Sequence, residues 1–250
     1  MEHLQNYYGS LCTEMYEILH ENPPLDELSF YLSYAEKGQK IFEPLCGSGR
    51  FFMPFLNRGY EISGVDLSAE MLAKLKQKAP AAKVAQADVT EYNSGETYDY
   101  IFIPSGSISL FTDLSMLKAI LRKIKALLNP GGKFVFAVDT VEARVPDRAD
   151  YTISVSVKTQ EGFDLILKNK NQYDEATRTQ FSPSIYELYD GSNLLQREYM
   201  DFQTHLYEPG EMEGYLYEAG FTQITVYADF DKKPPGADGS ELFLYECGIE

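Results

Sequence analysis

Residues 41–51 read I-F-E-P-L-C-G-S-G-R-F: an apolar run carrying an acid, Glu43, then a turn through Gly47 and Gly49 into a helix start. Glycine at such a turn lets backbone approach a ligand closely. The helix start adds N–H groups with no partner inside the helix. Taken alone, Gly-Ser-Gly is a weak signal, and its surroundings strengthen it. K-I-F-E-P-L (40–45), Y-E-I-S-G-V-D (60–66), K-V-A-Q-A-D (83–88), Y-D-Y-I-F-I-P-S (98–105) and G-K-F-V-F-A-V-D (132–139) are short apolar runs bounded by turn residues. Such runs mark strands covered on both faces.

Helical stretches separate these runs. Ser68 can cap the segment 69–79, and Asp113 can cap 114–128, where Leu114, Leu117, Leu121, Ile124 and Leu128 share one face. Asn129-Pro130-Gly131-Gly132 then stops the helix. Parallel neighbours need crossovers, so the alternation predicts a parallel sheet with helices on both faces. From about residue 151 the pattern changes: 153–159 and 163–169 alternate with period two, and 184–202 reads as two strands joined at Asp190-Gly191. Residues 208–220 resemble a helix ended by Gly220, followed by strands near 223–229 and 241–247. The expected fold is α/β: a doubly wound, seven-stranded Rossmann-like sheet with an antiparallel β insertion after the fifth strand. Residues 1–34 are assigned to an N-terminal helical lid, 35–150 and 208–250 to the core, and 151–207 to the insertion, as substrate lid or dimer element.

The second strand ends on Asp66, 23 residues beyond Glu43, where an acid can accept both hydroxyls of a ribose. The third and fourth strands are expected to end on Asp88 and Ser105, which collects these groups on the carboxyl edge of one sheet. A dinucleotide fingerprint starting at Gly47 would need glycine at position 52, where Phe52 stands. No G-K-[S/T] follows either, so Walker-type phosphate binding is disfavoured. Read residue by residue, Glu43 and Asp66 could simply end strands, and Cys46 reads as a small packed side chain with no base beside it.

Segments 41–51, 64–72, 85–89, 98–105 and 128–136 together resemble the class I S-adenosylmethionine-dependent methyltransferases. The resemblance implies S-adenosylmethionine as cofactor and S-adenosylhomocysteine as product. It also implies roles. Glu43 would face the cofactor's amino group, and Leu45, Cys46, Gly47, Gly49 and Arg50 would line the loop near its carboxylate. Asp66 would hold the ribose, Leu67 and Met71 would sandwich adenine, and Asp88 with Val89 would read the adenine amino edge. Pro104, Ser105, Gly106 and Ser109 would lie beside the transferable methyl. Many relatives carry tyrosine in the N-terminal lid over the cofactor, which points to Tyr8 and Tyr16. One departure is that Leu45 stands where the family usually has its first loop glycine. No catalytic residue is assigned; Tyr8, Tyr16 and His205 are the candidates. Some sugar N-methyltransferases carry a His in the stretch that here reads G-S-I-S-L-F (106–111); Leu110 occupies that position.

Charge bears on the acceptor. Lys and Arg total 22 against 38 Asp and Glu, a net charge of −16, which repels phosphate backbones and anionic membranes. The [N/D/S]-P-P-[Y/F] motif of enzymes that methylate nucleic-acid amines is replaced by I-P-S-G-S-I (103–108). A small-molecule acceptor is therefore expected, with neither nucleic acid nor membrane as partner. The alternative is a cofactor-binding regulatory or adaptor protein without turnover. Cys12, Cys46 and Cys247 show no metal-ligand or disulfide spacing, and the N-terminus lacks a basic start followed by an apolar run. No metal site and a cytoplasmic location are expected.

Overall fold

The computed structural model describes residues 5–236 and 239–249, so residues 1–4 of the expected lid lie outside the described residues. Helices α1 (Ser10–Leu19) and α2 (Leu25–Leu32) precede β1 (Lys40–Pro44), α3 (Phe52–Asn57), β2 (Glu61–Asp66), α4 (Ala69–Lys78), β3 (Lys83–Gln86), β4 (Tyr98–Ile103), α5 (Leu114–Leu127) and β5 (Leu128–Asp139). Next come β6 (Arg148–Lys158), β7 (Asp164–Asp174), β8 (Thr179–Phe181), β9 (Ser184–Asp190), β10 (Asn193–Met200) and β11 (Gln203–His205). Helix α6 (Glu211–Ala219), β12 (Gln223–Tyr227) and β13 (Leu242–Gly248) complete the chain.

Seven strands form one sheet in the order β12-β13-β5-β4-β1-β2-β3. The pairings among β1 to β5 are parallel, and β13 runs antiparallel between β5 and β12. The two faces bury alternate residues of each central strand, which is why these strands read as unbroken apolar runs. Phe42, Ile101, Ile103, Phe134 and Phe136 pack on the face covered by α5 and α6. Ile41, Tyr100, Phe102, Val135 and Ala137 pack on the opposite face, against α2, α3 and α4.

The helix caps form as expected, with Ser68 Oγ accepting from Met71 N–H and Asp113 from Met116 N–H. Three boundaries differ from the sequence reading. Strand β3 stops at Gln86 because Asp88 Oδ1 accepts the Thr90 N–H at 2.8 Å and its hydroxyl at 2.7 Å, an Asx turn that diverts the chain. Strand β4 stops at Ile103, where Ser105 and Gly106 both take left-handed conformations. Leu128, expected on the α5 face, is instead extended and opposite Tyr98 in the sheet.

The insertion is an antiparallel sheet, with β6 and β9 flanking one end of β7, β10 outside β9, and β8 and β11 at the other end of β7. Helix α1 packs its Leu11, Cys12 and Met15 against Leu165, Tyr186 and Met200 of that sheet. Its other side is tied to α4 by Glu14–Lys74 and Glu17–Lys78 ion pairs, both 2.6 Å. Helix α2 belongs to the core, where Phe30 and Tyr31 are buried.

Candidate functional site

A cavity of about 460 Å³ opens at the carboxyl ends of β1, β2 and β4 beneath residues 5–8 and Tyr16. Its base is the first strand and its loop. Glu43 is 2% exposed, and its Oε2 has no hydrogen-bond partner among the described residues. Burial, reinforced by the nearby Asp66 charge, pushes the Glu43 carboxyl well above the usual range. Leu45 takes a left-handed conformation, φ +61°, which glycine would adopt without strain. The Cys46 N–H donates to Val65 O at 3.0 Å, which ties the loop to β2. The Gly47 N–H donates to Asp66 Oδ2 at 2.8 Å.

Asp66 also accepts the Ser68 N–H, at 2.8 Å on Oδ1, so each oxygen holds one backbone donor and keeps a lone pair for a ligand. Leu67 and Met71 line the same wall; Asp88 and Val89 line the next, and Pro104 and Ser105 the wall beyond. Arg50 is the cation among the described lining residues, against Glu43, Asp66, Asp88 and Asp113. Tyr8 and Tyr16 close the top as an edge-to-face pair with centroids 6.1 Å apart. The lid is pinned by the Ser68 hydroxyl donating to Tyr8 O at 2.6 Å and by the Tyr7 hydroxyl donating to Glu70 at 2.7 Å.

Fourteen of the residues assigned from the sequence thus meet at one cavity, and four do not. Gly49, φ +91°, lies against α4: a Cβ there would come within 3.0 Å of Leu75 Cγ, so it serves close packing of the loop. Gly106 faces Asp139, whose Oδ1 lies 2.7 Å from where a Cβ would stand. Ser109 is fully buried and accepts the Asp139 N–H at 2.9 Å. His205 pairs with Glu211 at 3.0 Å and rests edge-on against Tyr207, outside the cavity lining. Of the three catalytic candidates, then, Tyr8 and Tyr16 reach the cavity. Burial raises both phenols above their ordinary value, which makes them poor bases at neutral pH.

Sequence reasoning did not find Gln5, Asn6, Ser107, Thr112 or Asp113, which line the far half of the cavity. Asn6 donates to Leu110 O and Gln203 O at 2.7 and 2.8 Å, joining the N-terminal segment to the loop after β4 and to β11. Nothing in its local sequence signals that role.

The cavity thus brings together a buried carboxyl with a partnerless oxygen, Arg50 and a strand-end acid. Residues 41–132 match the family model described as Methyltransferase domain. The chain is 25% identical over 243 residues to the Bacillus subtilis (strain 168) protein named "Putative methyltransferase YqeM", covering 92% of this chain and 93% of that one. Among solved structures it is similar to an S-adenosylmethionine-dependent methyltransferase from Clostridium acetobutylicum ATCC 824, with TM-score 0.76, 16% identity, and 94% and 96% of the two chains covered. The sugar N-methyltransferase KedS8 from Streptoalloteichus sp ATCC 53650 gives TM-score 0.72 at 19% identity, covering 90% and 88%. Residues 41–132 thus carry a methyltransferase domain, and the chain shares its fold with S-adenosylmethionine-dependent methyltransferases.

Proposed function

We propose that this chain transfers a methyl group to a small-molecule acceptor bound in the far half of the cavity, by in-line displacement. The observation that carries the reading is the partnerless Oε2 of buried Glu43 at the mouth of the glycine loop. A carboxylate so placed destabilises the empty protein unless a cation answers it. Glu43 receives the cofactor's ammonium, Arg50 faces its carboxylate, and Asp66 takes the ribose hydroxyls. Leu67 and Met71 flank the adenine, whose amino edge meets Asp88 and Val89.

When bound, S-adenosylmethionine supplies an electrophilic methyl on a sulfonium. The protein's part is placement. Ser107, Thr112 and Asp113 offer polar contacts to an acceptor, while Leu110, Phe111 and Met116 exclude water. Orientation and dehydration of the two reactants can supply several kcal/mol of barrier lowering without a strong base. The likeness to a structure named as a sugar N-methyltransferase supports a compact polar acceptor.

Incubation with S-adenosylmethionine and a panel of amino sugars, amines and hydroxylated metabolites tests the reading. Mass spectrometry should show S-adenosylhomocysteine and a methylated acceptor rising together. No acceptor-dependent product from any member of the panel would count against a small-molecule acceptor.

A further inference from the structure

We infer that Glu27, on α2, is a positioning residue for the cofactor cavity: it holds Ser105 in the left-handed conformation that shapes the wall beside the reacting methyl. The inference rests on the reading that this cavity holds S-adenosylmethionine. Glu27 is 5% exposed, and its Oε1 accepts the Ser105 N–H at 2.7 Å and the Ser105 hydroxyl at 3.2 Å. Ser105 itself is exposed and lines the cavity.

Ser105 has φ +56° and Gly106 φ +66°, two successive left-handed residues one position beyond the end of β4. Glycine adopts that conformation freely. A residue with a Cβ does not, because the side chain crowds the carbonyl that follows. Something outside the turn must therefore hold Ser105, and the Glu27 carboxylate accepts both its N–H and its hydroxyl. The holder is fixed to the same strand end. The Tyr31 hydroxyl donates to Ile103 O at 3.4 Å, and the Tyr100 hydroxyl donates to Tyr31 O at 2.9 Å. Burial raises the Glu27 carboxyl, while the Ser105 hydrogen bonds and the positive charge of Arg50 draw it back toward the ionised acceptor. Without that hold, Ser105 falls back to a right-handed or extended conformation and carries Pro104 with it.

The test is calorimetric binding of S-adenosylhomocysteine to the full chain, with thermal unfolding to show that each variant folds. Glu27→Ala should weaken binding about tenfold or more, and Glu27→Gln, whose amide oxygen still accepts the N–H, should stay within about threefold of the parent. Ser105→Gly alters the cavity wall itself and so sets its own reference affinity; adding Glu27→Ala to it should cost less than about threefold further, because glycine needs no holder. Should Glu27→Ala not fold, Glu27→Asp takes its place, since it keeps the charge but withdraws the carboxylate by one methylene. Parent-like binding by a folded Glu27→Ala or Glu27→Asp would overturn the inference. So would a Ser105→Gly background in which Glu27→Ala still weakens binding about tenfold. A parent that binds no S-adenosylhomocysteine would overturn the cofactor reading itself, and this inference with it.

Discussion

Gly9 lies directly under the carboxylate of Glu198: a Cβ at residue 9 would come 2.7 Å from Glu198 Cδ. The approach is that close because Glu198, on β10, accepts the N–H groups of Leu11 and Cys12 at 3.0 and 3.1 Å and the Ser10 hydroxyl at 3.1 Å. Helix α1 has no side-chain cap at its own Gly9 and is capped from the insertion instead.

Glu198→Ala should therefore uncap α1 across that interface. A lost cap costs about 1–2 kcal/mol, including the favourable charge at the helix start. Because Tyr8 and Tyr16 lie at and just before this helix, S-adenosylhomocysteine affinity should fall several-fold as well. Thermal unfolding with and without S-adenosylhomocysteine would check both. Loss of stability with unchanged ligand protection would show that α1 does not govern the cavity.

Glu43→Gln should move stability and affinity in opposite directions. Burial holds the Glu43 carboxyl well above its ordinary value of 4.5, so the folded protein loses stability as pH rises from there and the unfolded chain ionises first. The amide removes that loss. At pH 8 the ligand-free variant should melt higher, by roughly 1–3 kcal/mol, while its S-adenosylmethionine affinity drops about tenfold or more. A variant that melts lower and binds normally would refute the assignment of Glu43 to the ammonium.

Asp139 gives a pH-dependent counterpart away from the cavity. Burial pushes its carboxyl up from 3.8 to about 6. The folded state therefore binds the extra proton, and its contribution to stability is lost between those two values as pH rises. At pH 7 the loss amounts to at most about 3 kcal/mol. Asp139→Asn should unfold at higher urea than the parent at pH 7, and the difference should vanish near pH 4.

Leu45 is the third site where a side chain disturbs the balance. Its left-handed conformation costs about 1–2 kcal/mol, yet its side chain packs on the core. Leu45→Ala keeps the strain and loses packing, so it should destabilise by about 1–2 kcal/mol. Leu45→Gly relieves the strain as well and should be the more stable of the two. Parallel urea titrations decide it, and an alanine variant more stable than the glycine one would contradict the strain.

The core sheet was legible because each central strand is covered on both faces and so writes an unbroken apolar run, as in Tyr100–Ile103 with its neighbours. The acid at the end of β1 and that of β2 were legible for a related reason, since a charge ending such a run is conspicuous. Less local features were not. Nothing near Glu27 announces that Ser105, 78 residues away, needs an acceptor. Gly49 looked like a ligand-facing glycine because a loop needs the same residue for close packing against α4. His205 precedes α6 in sequence, but its partner Glu211 turns it away from the cavity.

Helix α1 is made early and completed late. Its apolar partners Leu165, Tyr186 and Met200, and its capping acid Glu198, all leave the ribosome well after residues 10–19 do. Short helices are marginal without tertiary partners, so this segment stays unsettled while the sheet forms from β1 to β5. The roof over the cavity therefore closes only once the insertion exists. During synthesis the cavity's walls precede their cover, and premature termination anywhere in the insertion would leave an open basin on a sheet that still lacks β12, β13 and the covering helix α6.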